Sequence, residues 1–318
     1  MQDFERIFSG YSTERMLTYK NFIKLELKIE EYTPENIYHF YNWSDLISSA
    51  FWQVISKIEV LLRNRINDVL KNNIDKNWFD LNKNNQTGIF FSKYHAESIE
   101  KALGNIRRKQ KIVNNGRVVS ELNMGFWTDF LDISFSNSSN QSTKQIGWQY
   151  FIPEILPGYK YGNKDPHRYW NNEKNKQKLK EKLNDIKEIR NRIAHHEPIF
   201  KYMSIKTREL SKDKRGGYFI SLQRNYLEAL ELLHWLSPEL SKAYQKSYAN
   251  QYAQYIITES TFHHMVLEAN ELDDIFLLER YIEYLMEYMD DPQKENNKIL
   301  YISNKGGQFG CFIPYLIK

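Results

Sequence analysis

One cysteine, Cys311, stands in 318 residues. No intrachain disulfide can brace the fold, and a reducing, cytoplasmic setting is expected. No apolar run approaches the ~20 residues that span a bilayer. The opening MQDFERIFSG lacks a basic-then-apolar leader pattern, so neither a leader nor a membrane partner is expected. Glycine (13) and proline (8) are scarce, which favours helix over sheet because few positions break a helix. An excess of one charge is missing too. Forty-four Lys and Arg against 40 Asp and Glu leave +4, too mild to announce nucleic-acid binding by itself. No Cys/His spacing or carboxylate cluster calls for a metal. Gly306-Gly307 lacks the following Lys-Ser/Thr of a phosphate loop. No metal and no cofactor is expected.

Helical periodicity is what the chain has in quantity. Residues 13–30 read as a first helix, capped by Ser12 or Thr13 and stopped by Pro34. Over 35–72, the positions Phe51, Val54, Ile55, Ile58, Leu61, Leu62, Ile66 and Val69 step by threes and fours. Further helices are expected over 90–112, over 117–135 around a break at Gly125, over 172–196 and over 221–236, where Pro238 stops the run. Two or three more follow between 238 and 290. Residues 135–147 are a polar loop, and 150–170 form an ordered but irregular segment rich in aromatics. The tail 298–317 carries two β-rich runs flanking Asn304-Lys305-Gly306-Gly307, a hairpin signal. Two basic groups stand out: Arg107-Arg108-Lys109 and the stretch EKNKQKLKEKLNDIKEIRNR (173–192).

The tetrapeptide RNRI occurs twice, at 63–66 and 190–193, and only the second copy runs into histidines. At ~100° per residue, Leu179, Leu183, Ile186, Ile189 and Ile193 share one core stripe. Arg190 sits at its edge, where a half-buried guanidinium needs an anionic partner. Asn191 and His195 are four apart on another face, where the amide can orient the imidazole. Arginine, amide and imidazole together suit phosphodiester cleavage. The guanidinium holds a phosphate and steadies its growing charge, and the imidazole moves a proton near neutral pH. RNA supplies its own nucleophile, the 2′-OH. Arg190 and His195 lie ~140° apart on one helix, so two copies crossing in a two-fold dimer would assemble a better centre than one.

Four segments, in order, resemble one family. They are IEVLLRN (58–64), SELNMGFWTDF (120–130, with Asn123-Met124 where Thr-Phe is more usual), EIRNRIAHHEPIF (188–200) and LLHWLSPEL (232–240). They are similar to the Abi-like (abortive infection, AbiD/AbiF type) proteins of bacterial phage defence. Arg190-Asn191-(three residues)-His195 matches the R-N-x-x-x-H form of the HEPN ribonuclease motif. The resemblance implies an all-α HEPN helical bundle over 1–240. A C-terminal helical extension with the small hairpin would occupy 241–318. It also implies a homodimer, metal-independent endoribonuclease activity on RNA, and a restraining antitoxin partner, either a protein or a small RNA. Arg190, Asn191, His195 and His196 would form the catalytic group, with His196 either sharing catalysis or serving structure and orientation.

Around that centre several residues are candidate RNA ligands: Arg63, Arg107, Arg108, Lys109, Arg168 and Arg192. Arg63 is expected first as scaffold, paired with Glu59 one turn away. The alternative is that Glu59 or Arg63 reaches the second helix and orients Arg190 or a phosphate. The basic knot either tracks a phosphate backbone or is a solvated helix end. KYGNKDPHRYW (160–170), which holds Arg168, either binds single-stranded RNA or packs on the core. A non-catalytic HEPN module that holds a small RNA or a protein is the second functional reading, and a purely structural helical adaptor the third.

Overall fold

The computed structural model describes residues 9–136, 146–200, 214–267, 300–304 and 307–312, with side chains from 9–136, 146–200 and 217–267. The expected loop at 135–147 lies mostly outside these residues, as does any helix at 268–290. The described chain is almost entirely helical, as its composition dictates. In order it runs α1 (Thr13–Asn21), α2 (Pro34–Asn73), α3 (Asn84–Thr87), α4 (Lys93–Arg108), α5 (Asn115–Glu121), α6 (Met124–Thr128) and α7 (Trp148–Ile155). Then come α8 (Pro166–Trp170), α9 (Glu173–Ala194), α10 (Lys214–Leu236), α11 (Pro238–Gln245), α12 (Tyr248–Ile256) and α13 (Glu259–Phe262). Two small antiparallel pairs complete it: Ile89–Phe90 with Ser134–Phe135, and Leu300–Asn304 with Gly307–Phe312. The second is the hairpin foreseen in the tail. None of the helices of the described residues is long and apolar enough to cross a membrane.

Contacts group the chain into two compact units that interleave in sequence. One holds residues 1–51, 196–226 and 244–318; the other holds 52–195 and 227–243. The core of the first unit is aromatic. Phe22, Phe40 and Phe200 pack with centroids 4.4–5.6 Å apart. Trp43 closes it, its indole N–H donating to the carbonyl of Ile256 at 3.0 Å. In the second unit Trp78, Phe126 and Trp127 form the equivalent cluster.

Helix ends follow local chemistry. Thr33 and Asn36 exchange hydrogen bonds across the first turn of α2, in the manner of a capping box, with Pro34 at the first helical position. The first helix stops being α-helical at Asn21 and continues as a π-turn over Phe22–Glu26. Pro238 does not only stop a helix: it opens α11, where a missing N–H costs nothing. The helix expected over 117–135 does break, but at Leu122-Asn123 between α5 and α6, and Gly125 lies inside α6. Asn123 caps α6 by accepting from the Phe126 N–H at 3.0 Å. Asparagine is among the residues that best cap a helix start in this way. A Cβ on Gly125 would lie 2.5 Å from the Tyr94 hydroxyl, so a larger residue there would displace that exposed ring.

In the 160–170 segment the aromatic side chains pack inward, while Lys160, Lys164, His167 and Arg168 stay exposed. Trp170 is buried and donates to the Tyr161 hydroxyl at 2.8 Å, and the Tyr159 and Tyr169 hydroxyls meet at 2.6 Å. Tyr159 also packs on Trp235 at 4.7 Å. Only the polar rim of the segment, Arg168 included, remains exposed.

Candidate functional site

Helix α9 carries the candidate centre to its C-terminal end. Asn172 caps its start by accepting from the Lys174 N–H at 2.9 Å. Leu179, Leu183, Ile186 and Ile189 form the buried stripe. Ile193, expected on the same stripe, is half-exposed, because the helix reaches the edge of its core one turn before it ends. Ala194 is the last helical residue and His195 the cap, its backbone N–H bonding the Asn191 carbonyl at 2.9 Å. His196 follows in a left-handed conformation, φ +55°. Glycine usually takes that place after a helix, and a side chain there costs roughly 1 kcal/mol. Arg15 of the same compact unit holds the turn, donating to the His196 carbonyl at 2.7 Å and to the Tyr41 hydroxyl at 3.3 Å. Asp45 lies beside them. Partial desolvation raises its carboxyl above the ordinary range, while the nearby Arg15 and His196 charges pull it down. Sequence periodicity gave no signal for Arg15 or Asp45, because their link to His196 spans most of the chain.

Arg190 is half-buried, as its place on the helix predicted, and it finds the anion it needs. Its Nε donates to Glu59 Oε2 at 3.1 Å. The guanidinium also stands 5.9 Å from the centroid of the Trp52 ring. Glu59 is therefore not paired with Arg63 within α2, as the four-residue spacing had indicated. The pair with Arg190 is only 27% and 20% exposed, so it is less screened and stronger than a solvated i,i+4 pair. Among the described residues, the two terminal nitrogens of Arg190 have no partner. Arg63 makes no ion pair there either, and its Nε is out of solvent without an acceptor. Trp52, Glu59 and Arg63 fall within ~40° on one face of α2 at ~100° per residue. Glu59 was legible in the sequence as one end of an ion pair. Trp52 was missed, although its place off the core stripe was the signal.

The other expected residues divide. His195 and His196 are both exposed, so both are open to solvent-borne substrate. Asn191 is half-buried, and its amide makes no hydrogen bond to the His195 ring: the link between the two is backbone only. That corrects the expectation that the amide orients the imidazole. His195 is the cap, with φ −97° and ψ 10°, outside the regular helix that the four-residue spacing assumed. Arg192 is half-buried on the opposite side of the helix. The basic knot is largely spent within its own neighbourhood. Lys109 pairs with Glu121, and Arg108 bonds Asn105 one turn back, leaving the exposed Arg107 beside them.

These features define a class: an all-helical protein with an arginine-asparagine-histidine constellation closing a long helix, steadied by a carboxylate from a second helix. The family described as Abi-like protein matches residues 6–201, more than half of the chain. The chain belongs to the Abi-like protein family. Membership suggests a part in abortive infection, a phage-defence response. No curated protein and no solved structure gives a match.

Proposed function

We propose that the protein is an effector of phage defence that cleaves RNA by HEPN-type, metal-independent chemistry. The observation that carries this reading is the state of Arg190. Its Nε is committed to Glu59 while both terminal nitrogens lack a partner among the described residues, at the end of a helix that presents exposed His195. A guanidinium fixed at one edge and open at the other is prepared for two non-bridging oxygens of a phosphate.

In the proposed reaction the substrate's 2′-oxygen attacks the adjacent phosphorus, and its proton passes to the neutral imidazole of His195. The bond from phosphorus to the 5′-oxygen breaks, and that oxygen takes a proton from a second acid. The products are a 2′,3′-cyclic phosphate, or the 3′-phosphate after hydrolysis, and a 5′-hydroxyl. Arg190 offsets charge gathering on the phosphoryl oxygens. Arg190 and His195 diverge around one helix, so a homodimer is proposed, with the twin chain's His195 as the second acid. A protein or small-RNA antitoxin is proposed as the restraint.

Arg190→Ala and His195→Ala, each purified, should lose at least ~100-fold in cleavage of mixed-sequence single-stranded RNA. Helical content should not change. Undiminished cleavage by the double variant ends the nuclease reading. The second reading, a module that holds RNA or a protein without cutting, draws on the lack, among the described residues, of any side-chain bond orienting His195. It predicts tight RNA retention without cleavage, indifferent to His195→Ala and lost with Arg190→Glu.

A further inference from the structure

We propose that Trp52 is a stacking platform for a base of single-stranded RNA, set beside the phosphate that Arg190 holds. The inference rests on the phosphate role given to Arg190 above and adds the substrate class. On α2 the neighbouring aromatics Phe40, Trp43 and Phe51 are all buried, whereas Trp52 is 39% exposed and is the one tryptophan so exposed among the described residues. Single exposed apolar side chains are common; what sets Trp52 apart is the cation beside its ring.

Its surroundings say which occupant fits. The Arg190 guanidinium lies 5.9 Å from the ring centroid with its terminal nitrogens unpartnered. Arg63, on the same face of α2, has a buried Nε with no acceptor. Glu59 balances one of these two cations and leaves the other uncompensated. The surface therefore offers a π-face and unspent positive charge within one side chain's reach. A nucleotide carries the complement of both, a base and a phosphate, in every repeat. An apolar peptide or a second copy of this helix face would cover the ring and leave the charge of Arg63, which Glu59 does not balance, without an anion. Duplex RNA keeps its bases stacked on one another, so the platform selects single strands.

Binding is measured in a His195→Ala background, which removes cleavage, by fluorescence anisotropy of a labelled mixed-sequence single-stranded RNA and of its duplex. Trp52→Ala should weaken single-strand binding by roughly 5- to 150-fold, the loss expected for one stacked base, and leave duplex binding unchanged. Trp52→Phe should restore most of the affinity. Trp52→Leu should not, since it keeps apolar volume without a π-face. Equal affinity of the Ala and parent proteins overturns the proposal, as does full rescue by Leu. Conversion of a dimer to a monomer by Trp52→Ala, with affinity per protomer unchanged, also overturns it and makes this face a subunit contact. If the parent chain with His195 binds RNA through Trp52 but never cuts it, the nuclease reading falls and the platform stands. If it binds no RNA, both fall.

Discussion

Replacing Glu59 by Gln keeps the shape of the side chain and removes its charge, which isolates what the carboxylate does for Arg190. Two unit charges at 3.1 Å attract by about 5 kcal/mol at an effective dielectric of ~20 and by about 1.3 kcal/mol in bulk water. With the side chains 27% and 20% exposed, the pair lies between those limits, and desolvation of both ions cancels much of the gain. A net coupling of about 1–2 kcal/mol follows, above the range of fully solvated pairs. The assay is a double-mutant cycle of Glu59→Gln, Arg190→Gln and the pair, by urea unfolding at neutral pH. Raising the salt should change the coupling little, because the pair is partly shielded from solvent. In the cleavage assay Glu59→Gln should lower kcat roughly 10-fold, the effect of ~1.4 kcal/mol lost from holding the guanidinium in place. A cycle that closes additively to within ~0.3 kcal/mol refutes the energetic reasoning. Full activity in a destabilised Glu59→Gln protein refutes the claim that the carboxylate aims Arg190.

Three further outcomes are expected. Gly158→Ala should destabilise by at least ~2 kcal/mol in chemical denaturation, because its Cβ would stand 2.1 Å from the His234 carbonyl oxygen and 2.9 Å from Pro238. An unchanged unfolding midpoint would show that the 158 and 234 segments separate freely. His196→Gly should raise stability by about 0.5–1 kcal/mol, since glycine takes the left-handed turn without strain, and RNA cleavage should fall if the second histidine serves the reaction. Buried His95 has its pKa lowered, first by desolvation, with a hydrogen bond to the Phe126 carbonyl opposing the shift. A lowered folded pKa means that its contribution is whole above the unfolded value of ~6.5 and is lost as pH falls through the folded value. Wild-type unfolding midpoints should therefore drop between neutral and mildly acidic pH, and His95→Gln should flatten that slope.

Much of the fold was legible because helix formation is a local matter. The apolar steps of threes and fours along α2 and α9 act within one or two turns. They placed α2 and α9 to within a residue or two. The stripe of α9 failed only at Ile193, where the core ends before the helix does, and a pattern of apolar residues carries no record of how far a core extends. The aromatic segment at 160–170 could not be assigned from composition. Tyrosine and tryptophan serve a core and an RNA surface equally well, and burial decides between them.

The candidate site divides in the same way. The sequence determined that Arg190, Asn191 and His195 occupy one helix end and that Arg190 sits where it must find an anion. It could not determine which anion. Glu59 has one arginine four residues away and another 131 residues away, and only the packed chain makes the distant one the better partner, by shielding that pair from water. Arg15 meets the His196 carbonyl across 181 residues for the same reason. Spacing sets which groups share a helix face. Which of them meet is settled by desolvation, and desolvation exists only once the helices have packed.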